Sequence, residues 1–153
     1  MGGSEYLKSL HGLTRGTPPW IDLKLEQAVQ NCCLEAIDQE ILSSAHDVAD
    51  GGLAVALAEC CLGGPERPLG VRIESHEMIR GDALLFSESP SRIIVSLKET
   101  NLERLHEIAA LHHVPMQAIG AVGGTRFIIQ PMLQMTVEEL MAIWSNGLTD
   151  RLK

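Results

Sequence analysis

Residues 51–62 constrain this chain most. Gly51-Gly52 opens a stretch, Leu53-Ala54-Val55-Ala56-Leu57-Ala58-Glu59-Cys60-Cys61-Leu62, that is apolar on nearly every side of a helix. A surface helix carries one apolar stripe, so a helix apolar all round must be enclosed by other elements. The chain has 153 residues, enough for one compact domain with a real core. Only two Trp, one Tyr and two Phe are available, so aliphatic side chains must fill that core.

The elements that could enclose such a helix follow from periodicity. A short helix is predicted over 4–12, and Thr17-Pro18-Pro19 breaks it into an extended link. From an N-cap at Asp22 a long helix follows. Its apolar positions are Leu25, Ala28, Val29, Cys32, Cys33, Ala36, Ile37 and Ile41, one stripe at helical spacing. Strands are predicted at 43–48, 69–74, 91–97, 116–122 and 125–130, and a helix at 101–112 with Leu102, Leu105, Ile108 and Ala109 inward. Gly63-Gly64-Pro65 ends the apolar helix, and Gly123-Gly124 suits a hairpin turn between the last two strands. Thr136 with Glu139 forms a capping box for a final helix. The fold expected is α+β, a mixed β-sheet layered with α-helices. It is read as one domain over 1–153, with 1–20 a leading segment and linker.

A formal charge of −8 argues against a nucleic-acid partner, because phosphate backbones attract basic faces. Anionic ligands would need backbone N–H groups, a few placed cations or a metal ion. The cysteines form two adjacent pairs, Cys32-Cys33 and Cys60-Cys61, a spacing that suits neither a bridge nor a chelate and reads as reduced thiols. No apolar signal region opens the chain, and no apolar run nears the ~20 residues that span a bilayer. A cytoplasmic protein without a membrane partner is expected.

The sharpest chemical signal is Ala45-His46-Asp47-Val48-Ala49-Asp50-Gly51-Gly52-Leu53. It sets two carboxylates and two glycines at a strand-to-helix turn, where free N–H groups and the positive helix end favour phosphate. The glycines would let a ligand reach the backbone, and Asp47 could hold a hard cation bridging to phosphate. The structural alternative is that Asp50 caps the helix, the glycines make a tight turn and His46 simply packs. A second segment, Ser87-Glu88-Ser89-Pro90-Ser91-Arg92, is a polar loop running into a core strand. Its hydroxyls and Arg92 could bind phosphate or ribose, or form an ordinary surface turn. Ser44, His46 and Asp47 have the residue types of a hydrolase triad, yet they alternate along one strand, which argues against it. His112-His113 complements a helix end. Ile119-Gly120-Ala121-Val122-Gly123-Gly124 lacks the following helix that a dinucleotide fingerprint requires.

These segments together resemble a known family. The motif from Ala45 through Glu59 resembles that of the last domain of the phosphoribosylformylglycinamidine synthase family. Gly2-Gly3-Ser4-Glu5-Tyr6-Leu7, Leu85-Phe86-Ser87-Glu88-Ser89 and Ile119–Gly124 resemble the same domain in the same order. The resemblance implies membership of the aminoimidazole ribonucleotide synthetase superfamily, whose members pair an amino-terminal with a carboxy-terminal half-domain. This chain looks like the second carboxy-terminal half, inactive alone. The implied reaction is ATP-dependent conversion of formylglycinamide ribonucleotide to formylglycinamidine ribonucleotide, with ammonia delivered by a glutaminase. The implied partners are the amino-terminal half-domains, the glutaminase subunit and a small accessory subunit. The implied cofactors are magnesium and ATP, with ADP in an auxiliary site.

By position, Asp47 matches a magnesium-binding aspartate. His46, Ala49, Gly51 and Gly52 fall in the nucleotide-binding turn, and Glu88, Ser89, Pro90 and Arg92 in the substrate loop. Ala49 stands where the motif usually has a nucleotide-contacting Ser, and Pro90 where Gln is usual, which points to a more structural role for this copy. Two alternatives are a free-standing nucleotide-binding or regulatory module and another superfamily member such as a small-molecule kinase. The Gly-Gly-Ser-Glu-Tyr opening with His-Asp-x-x-Asp-Gly-Gly disfavours the kinase.

Overall fold

A computed structural model describes residues 1–63, 68–74 and 79–151, with side chains placed as far as residue 147. The chain groups into two compact units. The first comprises Met1–Ala56 with Ile79–Ala118, and the second Leu57–Met78 with Ile119–Lys153.

The first unit begins with α1 (Glu5–His11), started by Ser4, whose Oγ accepts from the Leu7 N–H, and stopped by Gly12 in the left-handed region. In α2 (Leu23–Asp38) the Asp22 carboxylate accepts from the N–H groups of Lys24 and Leu25, as the sequence predicts. Strand β1 (Leu42–Asp47) pairs antiparallel with β3 (Ile93–Leu97), with a register shift between Leu42 and Ser44. Helix α5 (Leu102–Leu111) packs on α2. Cys32 and Ala36 of α2 meet Leu105, Ile108 and Ala109 of α5 in one buried cluster, flanked by Leu42, Val95 and Leu97 from the strands. The predicted α2 stripe is right at Val29, Cys32 and Ala36 and wrong at Ile37, which is 49% exposed. Ala36 is fully buried, and Ile37 lies about 100° round the helix from it, beyond the contact with α5. Helix α4 (Gly81–Phe86), too short to show periodicity, precedes the polar loop.

Helix α3 (Gly52–Leu62) matches the apolar stretch, and none of its residues is exposed. The unit boundary falls within it, after Ala56. The Gly64-Pro65 break lies outside the described residues. All four cysteines are free, and burial pushes the Cys61 thiol up to about 11.

The second unit holds β2 (Val71–Glu74), β4 (Gly120–Val122), β5 (Arg126–Gln130), β6 (Leu133–Thr136) and α6 (Val137–Arg151). The sheet order is β4-β2-β5-β6, with only the β2–β5 pair parallel, so the mixed sheet is present and β1–β3 forms a separate two-stranded one. Phe127, Ile128 and Ile129 are consecutive and all buried, the pattern of a strand covered on both faces. The hairpin expected at Gly123-Gly124 does not form, because β2 lies between β4 and β5. Gly70, just before β2, donates to the Gly124 carbonyl and accepts from the Gly123 N–H, which draws the turn onto a third strand. The hairpin that forms is β5–β6; β6 is only four residues long, too short for its alternation to stand out from the sequence. The capping box is as expected: the Thr136 N–H donates to Glu139 Oε2 at 2.7 Å and the Glu139 N–H to Thr136 Oγ1 at 3.1 Å.

Candidate functional site

Pairing of β1 with β3 sets Asp47 opposite Ile93, and the Val48 N–H donates to the Arg92 carbonyl at 2.9 Å. The strand-to-helix turn and the polar loop, far apart in sequence, therefore lie side by side. They border a cleft of about 580 Å³ lined by Asp47, Val48, Ala49, Asp50, Glu88, Pro90, Ser91, Arg92 and Ile93, with Ile21, Glu26, Val29 and Gln30. Of the predicted residues, Asp47, Ala49, Glu88, Pro90 and Arg92 line it; His46, Gly51, Gly52 and Ser89 do not. A cavity of similar volume in the second unit is lined largely by aliphatic groups such as Leu69, Val137 and Met141, and by none of the predicted site residues.

The glycines have a local reason. Gly51 and Gly52 sit at φ +81° and +73°, where L side chains are strained, and a Cβ on Gly52 would lie 2.8 Å from the Phe86 backbone and the Ser87 carbonyl oxygen. Phe86 is in turn stacked on Tyr6, with ring centroids 4.8 Å apart. The backbone donors at the two glycines have internal partners. The Gly51 N–H donates to Glu88 Oε1 at 2.9 Å, and the Gly52 N–H to the Ala49 carbonyl at 3.1 Å. The carboxylate meeting this helix start is thus Glu88, where the sequence had pointed to Asp50.

The loop is fastened at three further points. Glu88 Oε1 also accepts from the Glu5 N–H at 2.9 Å. Arg92 Nη1 donates to the Ser87 carbonyl at 3.4 Å and to its Oγ at 3.3 Å. Ser91, at φ +62°, donates from Oγ to Glu26 Oε2 at 2.6 Å. That bond, with another from Gln30, holds the Glu26 carboxyl below the usual glutamate range. Sequence reasoning missed Glu26. It lies on the first turn of α2, and no local pattern signals a partner 65 residues away.

Four carboxylates and one guanidinium line the cleft, so an anion entering it would need a companion cation. The Asp47 carboxylate is 74% exposed, with His46 Nδ1 3.8 Å away. Among the described residues no three His, Cys, Asp or Glu side chains form a metal-holding group. A magnesium ion there would have the exposed Asp47 carboxylate as a protein ligand, with water and phosphate oxygens completing its coordination. Ser44 Oγ is 2.6 Å from Ser96 Oγ across the sheet, an arrangement for pairing strands. His112 Nε2 lies 2.7 Å from Glu35 Oε2, tying the end of α5 to α2. No described helix is long and apolar enough to cross a membrane.

A mixed sheet, an apolar helix opening at a His-Asp-x-x-Asp-Gly-Gly turn and a cleft bordered by that turn define a class. The chain belongs to the family described as AIR synthase related protein, C-terminal domain, whose model matches residues 1–130. It is similar to the phosphoribosylformylglycinamidine synthase subunit PurL of Thermomicrobium roseum, 41% identical over 98% of this chain and 21% of that protein. The PurL subunit of Anaeromyxobacter dehalogenans is 43% identical over 97% of this chain and 20% of its own length. The chain thus spans about a fifth of these curated relatives. Among solved structures, Thermotoga maritima PurL complexed with ATP matches with a TM-score of 0.67 at 20% identity, over 91% of this chain and 23% of that one. Thermotoga maritima PurL complexed with FGAR matches at 0.63 and 22%, over 75% of this chain and 20% of that one; these likenesses concern the fold.

Proposed function

We propose that the chain serves as the carboxy-terminal half-domain of an ATP-dependent carbon–nitrogen ligase that converts formylglycinamide ribonucleotide to formylglycinamidine ribonucleotide. The observation that carries this reading is 41% identity across 98% of the chain with a PurL subunit. In that reaction the amide oxygen accepts a phosphoryl group from ATP, ammonia attacks the activated carbon, and phosphate leaves with the oxygen. Chemistry of this kind rests on positioning and on cations around the transferred group.

In this reading Asp47 is a magnesium ligand, and the bound ion supplies the positive charge that a phosphate chain needs beside four carboxylates. The backbone around Ala49 and the Arg92 guanidinium border the nucleotide, an ATP or an auxiliary ADP, while His46, Gly51 and Gly52 hold the shape of the turn. Ser89 and Pro90 shape the substrate loop. The remaining half-domains of the synthetase complete the pocket, a glutaminase supplies ammonia, a small accessory subunit joins the complex, and the assembly works in the cytoplasm. The cleft offers one guanidinium, Arg92, too little positive charge for phosphoryl transfer, and the chain alone turns nothing over.

The test is ATP-dependent formation of formylglycinamidine ribonucleotide from ammonia, by the chain alone and by a synthetase containing it. The chain alone should be inactive. In the synthetase, Asp47→Asn should lower the nucleotide retained after desalting by roughly tenfold or more, since a neutral amide is a poor ligand for a hard cation. Turnover by the isolated chain would overturn the assignment, and tight binding of magnesium–ATP by it would replace the half-domain reading with a free-standing module. Unchanged nucleotide content in the variant would remove Asp47 from the metal site.

A further inference from the structure

The loop carboxylate Glu88 does something the sequence reading did not anticipate. Its single oxygen Oε1 accepts two backbone N–H groups at 2.9 Å each, from Glu5 and from Gly51. The donors come from segments 83 and 37 residues distant. Glu5 is the first residue of α1, and Gly51 immediately precedes α3. Both are helix-start donors that the helices themselves cannot satisfy. Next to that bond, the Phe86–Ser87 backbone fills the space where Gly52 lacks a Cβ.

We propose that Glu88 is a positioning residue: its carboxylate clamps the cleft loop to two helix starts and so holds the Gly51 end of the turn against the loop, as the Val48–Arg92 backbone bond holds the other end. Resting on the nucleotide reading above, this assigns Glu88 to the shape of the pocket and not to direct contact through its charge. Oxygen acceptance matters and the negative charge does not, so a glutamine, whose carbonyl oxygen occupies the same place, substitutes for it.

Amide hydrogen exchange of Glu5 and Gly51 is measured in the 153-residue chain as the parent, E88Q and E88A. Loss of the acceptor in E88A should speed exchange at both amides by about tenfold or more, with E88Q within about threefold of the parent. Nucleotide retained by a synthetase containing the chain is measured for the same three. E88Q should keep it within about threefold, while E88A loses about tenfold or more. Unchanged exchange in E88A would overturn the clamp. Loss of nucleotide in E88Q with its amides still protected would also overturn the proposal, since the charge itself would then touch the ligand. E88Q keeps the chain folded should E88A not fold. A parent that retains no nucleotide would sink the functional reading, and the exchange rates would still decide the clamp.

Discussion

Gly52 and Ser91 both occupy left-handed backbone, for different reasons. At Gly52 a Cβ would meet backbone atoms of Phe86 that cannot step aside. Gly52→Ala should therefore destabilise the chain by about 1–3 kcal/mol from backbone strain alone. A denaturation midpoint equal to the parent's would show that the turn can relax. Ser91 has a side chain in a region that favours glycine, and its hydroxyl bond to Glu26 offsets that strain. Ser91→Ala keeps the strain and loses the bond, whereas Ser91→Gly loses the bond and the strain together, so the alanine variant should be the less stable. Both variants should let the Glu26 carboxyl rise toward the ordinary range. Because its folded value is depressed, the stabilisation is present above the unfolded glutamate range and is lost as pH falls through the folded value. The stability gap between parent and Ser91→Ala should accordingly narrow in acid. A gap constant from neutral to strongly acid pH would mean the serine hydroxyl does not stabilise the ionised form.

At the scale of elements, α3 is the most demanding. Ala56 is 2% exposed and Ala58 half-buried on the same helix. Leucine at 56 should cost about 1–3 kcal/mol through overpacking, and at 58 less. Equal effects at the two positions would mean that burial does not set the cost. Elements with a local signature could be read from sequence: the Asp22 cap, the Thr136–Glu139 box and the stripe through Val29, Cys32 and Ala36 are patterns within a few residues. What could not be read depends on long-range pairing. Nothing near Gly123-Gly124 tells that Gly70 bonds to it, and nothing near Glu26 tells of Ser91. The cleft was legible in part. Composition marked both of its walls, but their meeting required the β1–β3 register, and the use of Glu88 as a backbone acceptor required geometry.

At the scale of the whole molecule, the position of β2 bears on how the chain is made. Its partners β4 and β5 come later, with roughly 45 residues between Glu74 and Gly120. A ribosome adding 5–20 residues per second would take roughly 2–9 s to supply them. Throughout that interval Val71 and Ile73, destined for near-complete burial, have no strand of their own sheet to join. A nascent chain halted after Ala118 should leave the amides of β2 exchanging as freely as an unstructured peptide, and release of the full length should protect them. Protection in the halted chain would mean that another segment shelters β2 first. The waiting strand is thus an exposed aliphatic edge in the newborn protein, open to aggregation and a natural place for a chaperone to bind until the segment after Ala118 arrives.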